Sequence, residues 1–84
     1  MKVLLWKLTQ DQRRGYDTFD SCIVAATTEE EAKLVHPYYY MWGDSCWNRD
    51  VWASDPEYVK AEPIGVAKPS IKAGTVVLAS FNAG

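Results

Sequence analysis

From Lys2 to Gln10 apolar and polar positions alternate along the chain. Leu4, Trp6 and Leu8 form a wholly apolar row, while Val3, Leu5, Lys7 and Thr9 form a row that turns polar. A period of two with one apolar row predicts a strand with one side against a core. Asp11-Gln12-Arg13-Arg14-Gly15 is polar and ends in glycine, as a turn does. Tyr16 to Ala26 reads as a second strand, strongest at Cys22-Ile23-Val24-Ala25-Ala26, and the short connection makes the two an antiparallel hairpin.

The pattern then changes. Thr28 with Glu31 fits a capping box, and Glu29, Glu30 and Glu31 suit the positive end of a helix dipole. The predicted helix continues through Ala32, Lys33, Leu34 and Val35, packed through Ala32 and Val35. It ends where Pro37 cannot continue it and pushes His36 away from the α region. From Pro37 to Pro56 no period is visible. Turn formers (Gly43, Asp44, Ser45, Asn48, Asp50, Ser54, Asp55) alternate with large rings (Tyr38, Tyr39, Tyr40, Trp42, Trp47, Trp52). A stretch of that length inside a small domain is functional or hides a short element. Tyr58 to Val66 reads as a third strand, kept to a sheet edge or broken by Pro63. Pro69 to Gly74 is a turn. Thr75 to Phe81 is a fourth strand, whose β-branched run suggests a central position. The expected architecture is α+β: a small antiparallel sheet of about four strands, in the order β-β-α-loop-β-β, with one short helix packed on a face.

The chain of 84 residues is expected to form a single domain over 1–84. Such a domain has a small core, and its four Trp, five Tyr and two Phe enlarge it, because each ring buries about 150–250 Å². A formal net charge of −2 argues against a dedicated binder of extended nucleic acid, which carries a basic stripe. The apolar run at Val3–Trp6 is ended by Lys7, too short for a signal peptide or a membrane helix. The expectation is a cytoplasmic protein with reduced thiols and no membrane association. Cys22, Cys46 and a single histidine, His36, do not have the spacing of a zinc site, so no metal or other cofactor is expected.

Leu5-Trp6-Lys7-Leu8-Thr9-Gln10, Gly15-Tyr16-Asp17-Thr18-Phe19-Asp20-Ser21, Glu29-Glu30-Glu31-Ala32 leading to His36-Pro37, and Ala79-Ser80-Phe81-Asn82-Ala83-Gly84 together resemble a family of small bacteriophage and prophage proteins. The resemblance spans most of the chain and carries no established activity. It implies an accessory protein made in a bacterial cytosol, of a kind that blocks host enzymes or sequesters host defence signals.

Three chemistries compete for the remaining residues. Cys46 and His36 offer a nucleophile and a base, and Asp17 with Asp20 a carboxylate pair. Against catalysis, Cys22 lies mid-strand among apolar neighbours and the two aspartates flank a turn, both ordinary structural placements. A ligand binder would stack a nucleotide base on rings and pair phosphate with arginine. The candidates are Arg13, Arg14 and Tyr16 from the first turn, with His36, Tyr38, Tyr39, Tyr40, Trp42, Trp47 and Arg49 from the aromatic segment. Some of those rings must fill the core, yet three consecutive tyrosines cannot all point inward. An interaction module would use the same Tyr, Trp and Arg as anchors on a host protein, or pair a partner through the edge at Tyr58 to Ile64. A short aromatic-rich chain also completes its core by self-association, so a homo-oligomer is a further expectation. At the chain end, Phe81 is expected in the core and Asn82 at the strand terminus, the alternative being a donor and acceptor at a site edge. The reading is a non-enzymatic protein that holds a small anionic, nucleotide-like ligand. The alternative is a protein inhibitor of a host enzyme or defence complex acting through the aromatic loop.

Overall fold

The computed structural model describes residues 2–11, 18–38, 40–41 and 51–82, the backbone alone at 40, 41, 81 and 82. The first two strands are β1 (Leu4–Gln10) and β2 (Thr18–Ala26). They pair antiparallel from Leu4 opposite Ala26 to Thr9 opposite Ser21. The alternation read from the sequence sets the burial: Trp6, Leu8 and Gln10 are buried on one side of β1, and Lys7 is exposed on the other. Trp6 donates its indole N–H to the Ala26 carbonyl at 3.0 Å, so the ring is buried without losing its polar bond.

The helix α1 (Glu29–Lys33) is shorter than predicted. Thr28 caps it, its hydroxyl accepting the Glu31 N–H at 3.1 Å. The Glu31 carboxylate does not reach back to Thr28. It accepts the hydroxyl of Thr27 at 2.8 Å. Val35 is not helical: β3 (Val35–His36) pairs antiparallel with β4 (Tyr40–Met41), Val35 opposite Met41 and His36 opposite Tyr40. The extended bias that Pro37 imposes on His36 is therefore used to start a small hairpin, and the helix gives way three residues before His36. Ala32 and Val35 are both fully buried in the core cluster, from different elements. The segment read as a loop thus hides a two-stranded ribbon. A 3-10 turn, Pro56–Tyr58, closes its far end, with the Asp55 side chain accepting from Glu57 N–H.

Two further strands, β5 (Val59–Val66) and β6 (Val76–Asn82), complete a four-stranded antiparallel sheet of order β5-β1-β2-β6. Pro63 does sit on an edge strand. Trp6 pairs with Pro63 but Leu5 with Gly65, so Ile64 is an extra residue that bulges out of the ladder. The fourth strand is also an edge, not a central strand as expected. Of its opening residues Val76 is buried while Val77 and Leu78 are exposed. β-Branched residues report a fit to a pleated surface, which an edge satisfies as well as a centre. The central positions go to β1 and β2.

A second bulge explains an irregularity of burial in β2. Phe19 pairs with Phe81 but Ser21 with Ser80, leaving Asp20 unpaired and exposed. One extra residue inverts the parity of the strand, which lets Phe19 and Cys22 both be buried although they are three apart. Before β6, Gly74 has φ +91°, a conformation other residues resist, and donates its N–H to Ala25 at 2.7 Å. The core gathers Trp6, Leu8, Val24, Ala32, Val35, Trp52 and Val59 in one cluster, and α1 lies against β1, β2 and β5.

Truncation of fully buried Leu8 to Ala is expected to cost about 2–5 kcal/mol in urea unfolding. Ile64→Ala, on the exposed bulge, should cost less than about 0.5 kcal/mol. Thr28→Ala should cost about 1 kcal/mol through the lost cap.

Candidate functional site

The backbone of Phe19 brings the site together. The β1–β2 ladder stops at Thr9 and Ser21, so the buried Phe19 peptide lies beyond its last pair. Its carbonyl accepts from the Gln10 side-chain amide at 3.2 Å, and its N–H donates to the Val51 carbonyl at 2.8 Å. Val51 is thereby fastened to the start of β2, and the next two residues, Trp52 and Ala53, are fully buried.

The other end of the aromatic segment reaches the same point. The Tyr38 and Phe19 rings meet edge to face, with centroids 5.0 Å apart and planes at 89°. Tyr38 also stacks on His36, at 5.6 Å and 9°. His36 is fully buried, and its Nδ1 accepts the Tyr38 N–H at 3.0 Å, which places the neutral ring's proton on Nε2. Pro37, between them, is also fully buried. Tyr38 itself is 45% exposed. The result is a half-open phenol ring fixed from below by an imidazole and from the side by a phenyl ring. Its rotation is restricted before anything binds.

The predicted site residues divide accordingly. Tyr38 is at the surface and His36 beneath it, so His36 supports the ring and presents no surface of its own. Tyr40 is placed by its backbone only, opposite His36 in the ribbon. Arg13, Arg14, Tyr16, Tyr39, Trp42, Trp47 and Arg49 lie outside the described residues, as do Asp17 and Cys46. Trp52, the last ring of the segment, is core, and its indole N–H has no acceptor among the described residues. Sequence reasoning missed Phe19, which does not look like a site residue because it sits in a strand. The signal was its place at the start of the second strand, beyond the last pair with β1.

A groove of about 330 Å³ lies at the opposite end of the sheet, between Lys2 and Val3 before β1 and the end of β5 at Val66 with Ala67, Lys68, Pro69 and Ile71 after it. Lys2 and Lys68 flank it over an apolar floor of Val66, Pro69 and Ile71. The length of β1, at about 3.3 Å per residue, separates it from Phe19 by about 20 Å.

The structure also addresses thiol chemistry. Cys22 is buried in the core, and burial pushes its pKa from 9.0 to about 12. It is a protonated, inert thiol at neutral pH. Among the described residues no three His, Cys, Asp or Glu side chains are grouped to hold a metal ion, and no helix is long and apolar enough to cross a membrane. No protein-family model, curated protein or solved structure matches the chain.

The Cys22 thiol generates a pH prediction. In the unfolded chain it ionises near 9.0 and in the folded chain near 12, so the unfolded state holds fewer protons between those values. Its contribution to stability is complete below pH 9 and is lost as pH rises toward 12, by about 1.4 kcal/mol per unit. The difference in unfolding free energy between the native chain and Cys22→Ala should therefore shrink from pH 8.5 to 11. A constant difference across that range would contradict the buried, protonated thiol.

Proposed function

We propose that the chain is a non-enzymatic accessory protein of bacteriophage type that binds and holds a small anionic ligand. The ligand class is the nucleotide, and the role is sequestration of a host defence signal in the bacterial cytosol. The observation that carries this reading is Tyr38: half exposed, stacked on buried His36 and braced by Phe19, where both ends of the aromatic segment converge. A nucleotide base gains about 1–3 kcal/mol by stacking on such a ring, and one already held in place loses little rotamer freedom on binding. Arg13 and Arg14, in the connection leading to β2, and Arg49, two residues before Val51, are the cations proposed to pair with phosphate. Tyr16, Tyr39, Tyr40, Trp42 and Trp47 are proposed as the remaining walls. Helix α1, covering a face of the sheet, would hold the ribbon that carries Tyr38.

The test is thermal unfolding with a panel of cyclic dinucleotides and ADP-ribose-type nucleotides. A ligand that binds only the native chain at 100 times its Kd adds about 2.7 kcal/mol and raises Tm by several degrees. Tyr38→Ala should weaken binding about fivefold or more, by about 1–3 kcal/mol, while Tyr38→Phe retains it. Lys2→Ala and Lys68→Ala should leave it unchanged. If only the lysine variants lose the shift, the anion occupies the groove between β1 and β5. Absence of any shift at about 100-fold above micromolar concentration would sink sequestration and favour the inhibitor reading, in which the same rings anchor a host protein. Mass spectrometry of recovered nucleotide separates holding from turnover: altered nucleotide would make the protein an enzyme.

A further inference from the structure

The two edges of the sheet are built differently. β5 carries the devices that keep an edge from pairing: Pro63, a bulge at Ile64, and the exposed charges Lys60 and Glu62. β6 reads Val-Val-Leu-Ala-Ser-Phe-Asn, with no charge and no proline. Its one irregularity, at Val77, lies near its start, and Leu78 to Asn82 run on without an inserted residue. Val77 is 44% and Leu78 62% exposed.

The ladder shows which polar groups this edge leaves unpaired. Ala25 donates to the Thr75 carbonyl and accepts from Gly74, so its backbone groups face the β6 side. Alternation along β2 turns Ile23 and Ser21 the same way, opposite Leu78 and Ser80. The backbone N–H and C=O of Ala79, between those two, therefore point away from β2. Among the described residues no hydrogen bond beyond the β2 ladder engages β6.

We propose that β6 pairs with β6 of a second copy, antiparallel about a two-fold axis at Ala79, to make a continuous eight-stranded sheet. The occupant follows from charge and symmetry. An uncharged strand meets its own copy without like-charge repulsion, and an antiparallel pair of identical strands is self-complementary. Pairing about Ala79 sets Leu78 opposite Ser80 of the second copy, and the two Leu78 side chains become diagonal neighbours on one face. Leu78, 62% exposed in the single copy, is thus covered in the same step that pairs the outward-facing backbone groups of β6. This surface is independent of the Tyr38 site.

Sedimentation equilibrium over a concentration series tests it, alongside amide hydrogen exchange. The native chain should sediment at twice its 9.5 kDa mass, with the Ala79 amide protected. Ala79→Pro removes a donor that the β2 ladder does not use, so it should give a folded monomer by circular dichroism. Leu78→Lys, on an already exposed side chain, should weaken association about tenfold or more by placing like charges across the axis. A native chain that is monomeric at about 500 µM overturns self-pairing and leaves the edge to a strand from another protein. A dimer that survives both substitutions, with the Ala79 amide exchanging freely, overturns this interface.

Discussion

A buried peptide must be paired, and at Phe19 two of the bonds come from outside the strand ladders. β1 ends its ladder with β2 at Thr9 and Ser21, before Phe19 is reached. An unsatisfied buried group costs about 1–3 kcal/mol. The Gln10 side chain donates to the Phe19 carbonyl, and the Val51 carbonyl accepts the Phe19 N–H. The second of these bonds ties Val51 to the start of β2, just before the fully buried Trp52 and Ala53. The Phe19 ring then receives Tyr38 from the segment's other end. Backbone satisfaction, core packing and site geometry therefore share one residue.

The bulges serve the same arrangement. Without the extra residue at Asp20, Phe19 and Cys22 would fall on opposite faces, and the Phe19 ring would not lie on the buried side. The bulge at Ile64 allows Pro63 to remain in β5 while Val59 and Ala61 keep their places against the core. The sheet gives up regularity at three points, Asp20, Ile64 and Val77, and at each the inserted residue is exposed.

Within the aromatic segment burial separates support from contact. His36, Pro37 and Trp52 are fully enclosed, and Tyr38 stands half outside them. A histidine beside a tyrosine suggests chemistry when read along the chain. Its Nδ1 is occupied by the Tyr38 N–H, and its ring lies under the phenol. Likewise a cysteine amid apolar residues is kept protonated by the core it helps to fill.

Period-two alternation determined β1 and its buried row of Trp6 and Leu8, since the choice of face is written in each residue's own polarity. Thr28 announced the helix start, and Pro63 the edge position of β5, because capping and a missing N–H are local effects. The helix end was less legible: the bias on His36 was visible, but the pairing of Val35 with Met41 is a contact across the ribbon. The edge position of β6 could not be read from Thr75-Val76-Val77-Leu78 either, because strand order depends on which neighbours the other strands have already taken. Of the site, the sequence supplied the rings and the argument that three adjacent tyrosines cannot all be buried. That Tyr38 is braced by Phe19 and His36 was decided only by the tertiary structure, where both ends of the segment meet at one peptide beyond the last β1–β2 pair.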